Sequence, residues 1–184
     1  MIRFFAFIFA LALLASGASA FSPEHTTKIV QLLEKGEADC ARLEPVYQFD
    51  CFRKSYSDAI RETRAYRDYS NAGKALRGVE KTLSAIVKQN RDTTKPKIKL
   101  GGQRYTAVRP EAVAAGAKAF HAARNEAATM LLRATGRSKV HYTRIAEALN
   151  SNKVLIRSLN EFGIGQSIRT ASLVLVASAH FLRS

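Results

Sequence analysis

Cys40 and Cys51 are the two cysteines of a 184-residue chain, eleven positions apart in "DCARLEPVYQFDC" and preceded by Asp39 and Asp50. Two thiols and two carboxylates are ligand types for a metal site, and the same thiols are the material of a disulfide. On one continuous helix the two cysteines would share a face but stand about 16 Å apart, whereas a disulfide needs α-carbons within about 7 Å. Pro45 disfavours a helix running on from Leu43 and Glu44, so a turn at Pro45 and Val46 brings the cysteines opposite one another. A Cys40–Cys51 disulfide across the corner between two helices is therefore expected, closing a loop of about 12 residues.

The other chemistry-bearing residues form no comparable set. His25, His121, His141 and His180 are scattered, with no H-x-x-x-H spacing, and no metal ligand or cofactor is assigned. No G-x-S-x-G nucleophile elbow occurs. "GIGQS" (163–167) has the glycines of a phosphate loop but lacks its Lys-Ser/Thr pair. With Ser167 and Arg169 it suits either an anion at a helix start or a plain connection between helices. Glu161 beside Phe162 is a candidate acid for a cell-envelope hydrolase, since an apolar neighbour raises a carboxyl pKa. Such an enzyme usually uses a second carboxylate, and none is identifiable, so no catalytic residue is assigned.

"TRIAEALNSNKVLIRSLNEFG" (143–163) places Ile145, Ala146 and Leu149 before a polar turn at Asn150. Ser151, Val154, Leu155, Arg157 and Leu159 follow it. This segment resembles the helix-turn-helix of bacterial transcription regulators, with a turn one residue shorter than the common pattern. The resemblance implies a second helix laid in the major groove of DNA. It covers about 20 residues, and nucleic acid is set aside as partner because an exported chain is separated from its genome.

Export is read from "MIRFFAFIFALALLASGASA": Arg3, an apolar run from Phe4 to Ala15, then small residues ending Ala18-Ser19-Ala20. That order is a cleavable signal peptide, 1–20, cut after Ala20. About 12 apolar residues are too few for a membrane span. The mature chain, 21–184, is then periplasmic in a Gram-negative host or otherwise secreted. No later run is long and uncharged enough to cross a membrane. Oxidising compartments favour the cysteine bridge.

The mature chain carries 28 Lys and Arg against 15 Asp and Glu, unevenly spread. Residues 21–45 have a net charge of −2, 46–110 of +9 and 111–184 of +6. The densest stretch, 88–109, holds seven cations against Asp92 alone. Such a field draws polyanions. Lys97 and Lys99 share a strand face, and Tyr105 offers an aromatic platform beside them. Lys95, Lys97, Lys99, Arg104 and Arg109 are the candidate anion-binding residues. The partner class is an anionic envelope polymer or lipid surface: lipid head groups, acidic glycans or cell-wall polymers.

The elements positioning these residues are mostly helices. Ser22 caps a first helix with Pro23 at its first position, Gly36 suits its C-terminal cap, and a short helix over 37–43 precedes Pro45. Phe49, Phe52, Tyr56, Ile60, Thr63 and Tyr66 form one stripe of a second helix reaching Tyr69. A third runs over 72–90 with Leu76, Val79, Leu83, Ile86 and Val87 inward. "KIKL" and "QRYTAV" around Gly101-Gly102 read as a β-hairpin, about 97–108, or as a mobile basic loop. From Pro110 an alanine-rich helix reaches Ala134 with Val113, Phe120, Leu131 and Leu132 as bulk. Ser138 caps the next helix, and a last one follows Gly165. The expected fold is mainly α: a single-domain helical bundle of about five to six helices over 21–184, with one small hairpin. The function expected is non-enzymatic binding or bridging of anionic envelope components.

Overall fold

Ser22 accepts a hydrogen bond from the His25 amide (3.3 Å), and Pro23 opens helix α1, Pro23–Ala41. The structure, a computed structural model, describes residues 21–151. Four further helices follow: α2 (Pro45–Thr63), α3 (Ser70–Gln89), α4 (Val113–Leu132) and α5 (Ser138–Asn150). Between α3 and α4 lies an antiparallel hairpin of β1 (Ile98–Leu100) and β2 (Gln103–Tyr105). The protein is thus a mainly helical bundle with one small hairpin, as the helical period and the Gly-Gly turn led us to expect.

Each helix packs on the next in sequence, and α5 closes back on α1. The fully buried side chains lie on the stripes that face this interior: Ile29 of α1, Phe49 of α2, Leu76 and Leu83 of α3, Phe120 and Leu131 of α4, and Ile145 of α5. Arg124 is also inside. Its guanidinium donates to the Leu149 carbonyl (Nε, 3.0 Å) and lies 3.4 Å from the Glu37 carboxylate, joining α4, α5 and α1.

The Cys40–Cys51 disulfide is present, with α-carbons 5.6 Å apart and both residues buried. It joins the end of α1 to the second turn of α2 across the Pro45 corner. Both strands end at Gly101 and Gly102, whose φ of 56° and 81° are the left-handed values a tight hairpin turn requires.

Four boundary expectations are corrected. Gly36 does not end the first helix; α1 runs through it to Ala41, and 37–43 is no separate element. Glycine stands there because α1 and α2 approach closely: a Cβ would overlap the Ser55 side chain. The second helix stops at Thr63, whose hydroxyl donates to the Ile60 carbonyl (2.7 Å) while the Arg64 amide turns back to Arg61 and Glu62. Tyr66 therefore leaves the inward stripe and is exposed, and a 3-10 turn, Arg67–Tyr69, leads into α3. Leu132, the last residue of α4, is half exposed. Ser138 does not cap α5; its hydroxyl donates to the Thr135 carbonyl (2.8 Å).

Candidate anion-binding surface

The first two turns of α2 are the platform on which the hairpin sits. Asp50 is buried, and one carboxylate oxygen accepts from Arg53 (Nε 2.8 Å, Nη2 2.7 Å). The other accepts from the Thr106 amide at 2.9 Å. The Tyr47 hydroxyl donates to the Pro96 carbonyl (2.9 Å), and the Val108 amide donates to the Val46 carbonyl (2.8 Å). Lys54 donates to the Arg104 carbonyl and lies 5.1 Å over the Tyr105 ring. The basic segment is accordingly a docked hairpin with defined faces. Asp50, weighed above as a metal ligand, is committed to holding it.

The register pairs Ile98 with Tyr105, Lys99 with Arg104 and Leu100 with Gln103. Side chains alternate between faces along a strand, so Ile98 and Tyr105 face α2 while Lys97, Lys99 and Arg104 share the outer face. Tyr105 is buried beneath Lys54 and offers no open ring, which corrects its expected role as a platform. Burial raises its phenol above the ordinary range, and the nearby carboxylates of Asp39, Asp50 and Asp58 add to that.

The five candidate cations divide. Lys95 pairs with Glu44 at 3.4 Å, and Arg109 pairs with Glu111 at 3.2 Å. Lys97, Lys99 and Arg104 are exposed, and among the described residues no carboxylate pairs with them. Lys99 and Arg104 are directly opposed across the ladder, an arrangement that costs stability when the charges are alike. A bound anion would offset that repulsion.

Between α1, α2 and the hairpin tip lies an open groove of about 420 Å³ over the disulfide, lined by Lys35, Asp39, Arg42, Lys54 and Asp58 among others. Its acids are already engaged, Asp39 with Lys35 and Asp58 with Arg61 (2.7 Å). Among the described residues no three His, Cys, Asp or Glu side chains stand together as a metal site would need.

A second polar cluster went unread in the sequence. The Thr26 hydroxyl meets Tyr69 Oη at 2.6 Å and His141 Nδ1 at 2.7 Å, while Phe21 stacks on the His141 ring at 4.9 Å. Next to Thr26 on α1, His25 Nδ1 lies 3.2 Å from Glu62. Burial holds both imidazoles below their ordinary range; Glu62 opposes this at His25, and Arg144 adds to it at His141. The partners come from α1, α2, α5 and the 3-10 turn, so no local spacing announced them.

Ile145, Ala146 and Leu149 of the helix-turn-helix-like segment are buried in the bundle. The rest of that segment from residue 152, together with Glu161, "GIGQS" and His180, lies outside the described residues. Among those described, no helix is long and apolar enough to cross a membrane. Comparison of the chain with protein-family models, curated proteins and solved structures finds no match.

Proposed function

We propose that the protein is an exported, non-enzymatic helical domain that binds anionic envelope components through its basic hairpin. The observation that carries this reading is the outer hairpin face: Lys97, Lys99 and Arg104 together, exposed and without acidic partners among the described residues, on a hairpin anchored to α2 at Val46, Tyr47, Asp50 and Lys54. Anchoring matters because a presented cluster loses less freedom on binding than a floppy one.

Export rests on the leader "MIRFFAFIFALALLASGASA" with cleavage after Ala20. The Cys40–Cys51 disulfide is compatible with an oxidising compartment. Phe21, the first residue after the proposed cut, packs against Tyr69, His141 and Tyr142 with ring centroids 5.2, 4.9 and 5.7 Å apart. A mature chain beginning there keeps its first side chain in the aromatic cluster.

The test is binding of the mature chain to phosphatidylglycerol vesicles and to an acidic polysaccharide, with and without neutralisation of Lys97, Lys99 and Arg104 to Gln. Binding is expected to weaken steeply between low salt and physiological salt, where the Debye length falls to about 8 Å. Equal affinity of wild type and triple variant for both probes would sink the assignment.

A further inference from the structure

Helix α3 carries a second basic surface, distinct from the hairpin face. Lys74, Arg77, Lys81 and Lys88 are exposed and separated by three, four and seven residues. At about 100° per residue these four fall within roughly 60° of arc, and they span about 21 Å along the helix axis. The ridge is held outward because the opposite face, with Ala72, Leu76, Val79 and Leu83, is buried in the core. Gly78 and Ala85 lie just beside this arc, about 20–40° beyond Lys74, and a Cβ built at Gly78 would meet nothing within 4 Å. Lys74, Lys81 and Lys88 are thus flanked by small residues, while the Arg77 guanidinium lies back beside Gly73. Among the described residues none of the four forms an ion pair; Glu80, about 60° around the helix from Arg77 and farther from the three lysines, pairs with none of them.

The end of this ridge joins the base of the hairpin. The Arg109 amide donates to the Asn90 carbonyl at 2.8 Å, and Arg91 bridges to Val108. Basic side chains therefore continue from α3 through Arg91 to the hairpin, with Arg109 engaged by Glu111.

Shape and composition select among polyanions. A helix lying on a bilayer needs large apolar side chains flanking its cations. The large apolar residues exposed among those described are Tyr66, Leu100, Met130, Leu132 and Val140, and none lies on α3. Single-stranded nucleic acid needs stacking rings, which the ridge lacks. We propose that the α3 ridge is a docking surface for an extended acidic polysaccharide, whose spaced anionic groups follow the line Lys74–Arg77–Lys81–Lys88. This deepens the envelope-binding reading above and rests on it.

The experiment compares wild type, a ridge variant (K74Q/R77Q/K81Q/K88Q) and the hairpin variant (K97Q/K99Q/R104Q) as mature chains, each first shown to keep the wild-type circular dichroism. Probes are polygalacturonate of graded length, neutral dextran, phosphatidylglycerol vesicles and single-stranded DNA. The expected result is about tenfold weaker binding of long polygalacturonate by the ridge variant, as four exposed ion pairs of modest individual worth would give. Wild-type affinity should rise with polymer length up to the span of the ridge, with dextran unbound. If the hairpin variant alone loses binding, the ridge is overturned while the hairpin reading stands. If neither variant changes, both fail. Tighter binding to vesicles or to DNA, lost in the ridge variant, replaces the polysaccharide with that partner and overturns the proposal.

Discussion

Removing the Cys40–Cys51 bridge should destabilise the protein by about 3 kcal/mol, and the structure says why. The cysteines are 11 residues apart, so the bridge closes a loop of about 12 residues in the unfolded chain. In the native state that loop is the end of α1, the Pro45 corner and the start of α2, and its own Val46 and Phe49 are buried in the core. The folded geometry therefore survives without the bond, and the effect falls on the unfolded ensemble, which regains the freedom of an open corner. The assay is urea unfolding of oxidised wild type, reduced wild type and the Cys40→Ala/Cys51→Ala variant, followed by circular dichroism. Both residues are buried, so reduction needs denaturant and thiol together. At roughly 2–4 °C per kcal/mol for a domain of this size, the thermal midpoint should drop by about 6–12 °C. Coincident unfolding curves for the bridged and unbridged proteins would refute the reasoning, because the corner would then be equally restricted without the bond.

Three further outcomes are expected. Because His25 and His141 are both held below their ordinary pKa by burial, the unfolded state takes up protons first. Their contribution is full above about pH 6.5 and is lost as pH falls through the lower folded values. Thermal midpoints should decline from pH 7 to pH 5, and the decline should shrink in His141→Gln; a flat profile in wild type contradicts it. Asp50→Asn removes a charge-assisted bond to the Thr106 amide and the partner of Arg53, a loss of about 1.5–3 kcal/mol, with faster hydrogen exchange at Thr106 as the specific readout. Gly36→Ala forces a Cβ onto Ser55 and should cost about 1–3 kcal/mol in unfolding experiments, relieved by Ser55→Gly; no relief in the double variant would show that the contact is not the cause.

The legible parts of this protein were those set by neighbours in sequence. Ser22-Pro23 opened α1, the steps of three and four from Phe49 to Thr63 gave the buried stripe of α2, and Gly101-Gly102 marked the hairpin turn. Less legible were the points at which a helix stops. Gly36 reads as a stop because glycine costs helix stability, yet the packing of α1 on Ser55 overrides that local preference. Tyr66 continues the spacing of its stripe, but the chain leaves the helix at Thr63 and carries it outward.

By itself the sequence determined the helical class, the cysteine staple, the hairpin and the sign of the field, because periodicity, proline, glycine and formal charge act within a few residues. The tertiary structure decided which cations remain available. Lys95 and Arg109 are drawn to Glu44 and Glu111, while Lys97, Lys99 and Arg104 stay without acidic partners among the described residues. It also turned Tyr105 inward, set Asp50 as the hairpin anchor and placed Arg124 between α1 and α5. Lys95 and Glu44 lie 51 residues apart, Asp50 and Thr106 lie 56 apart. Pairings of that range follow from how helices pack, and no local pattern encodes them.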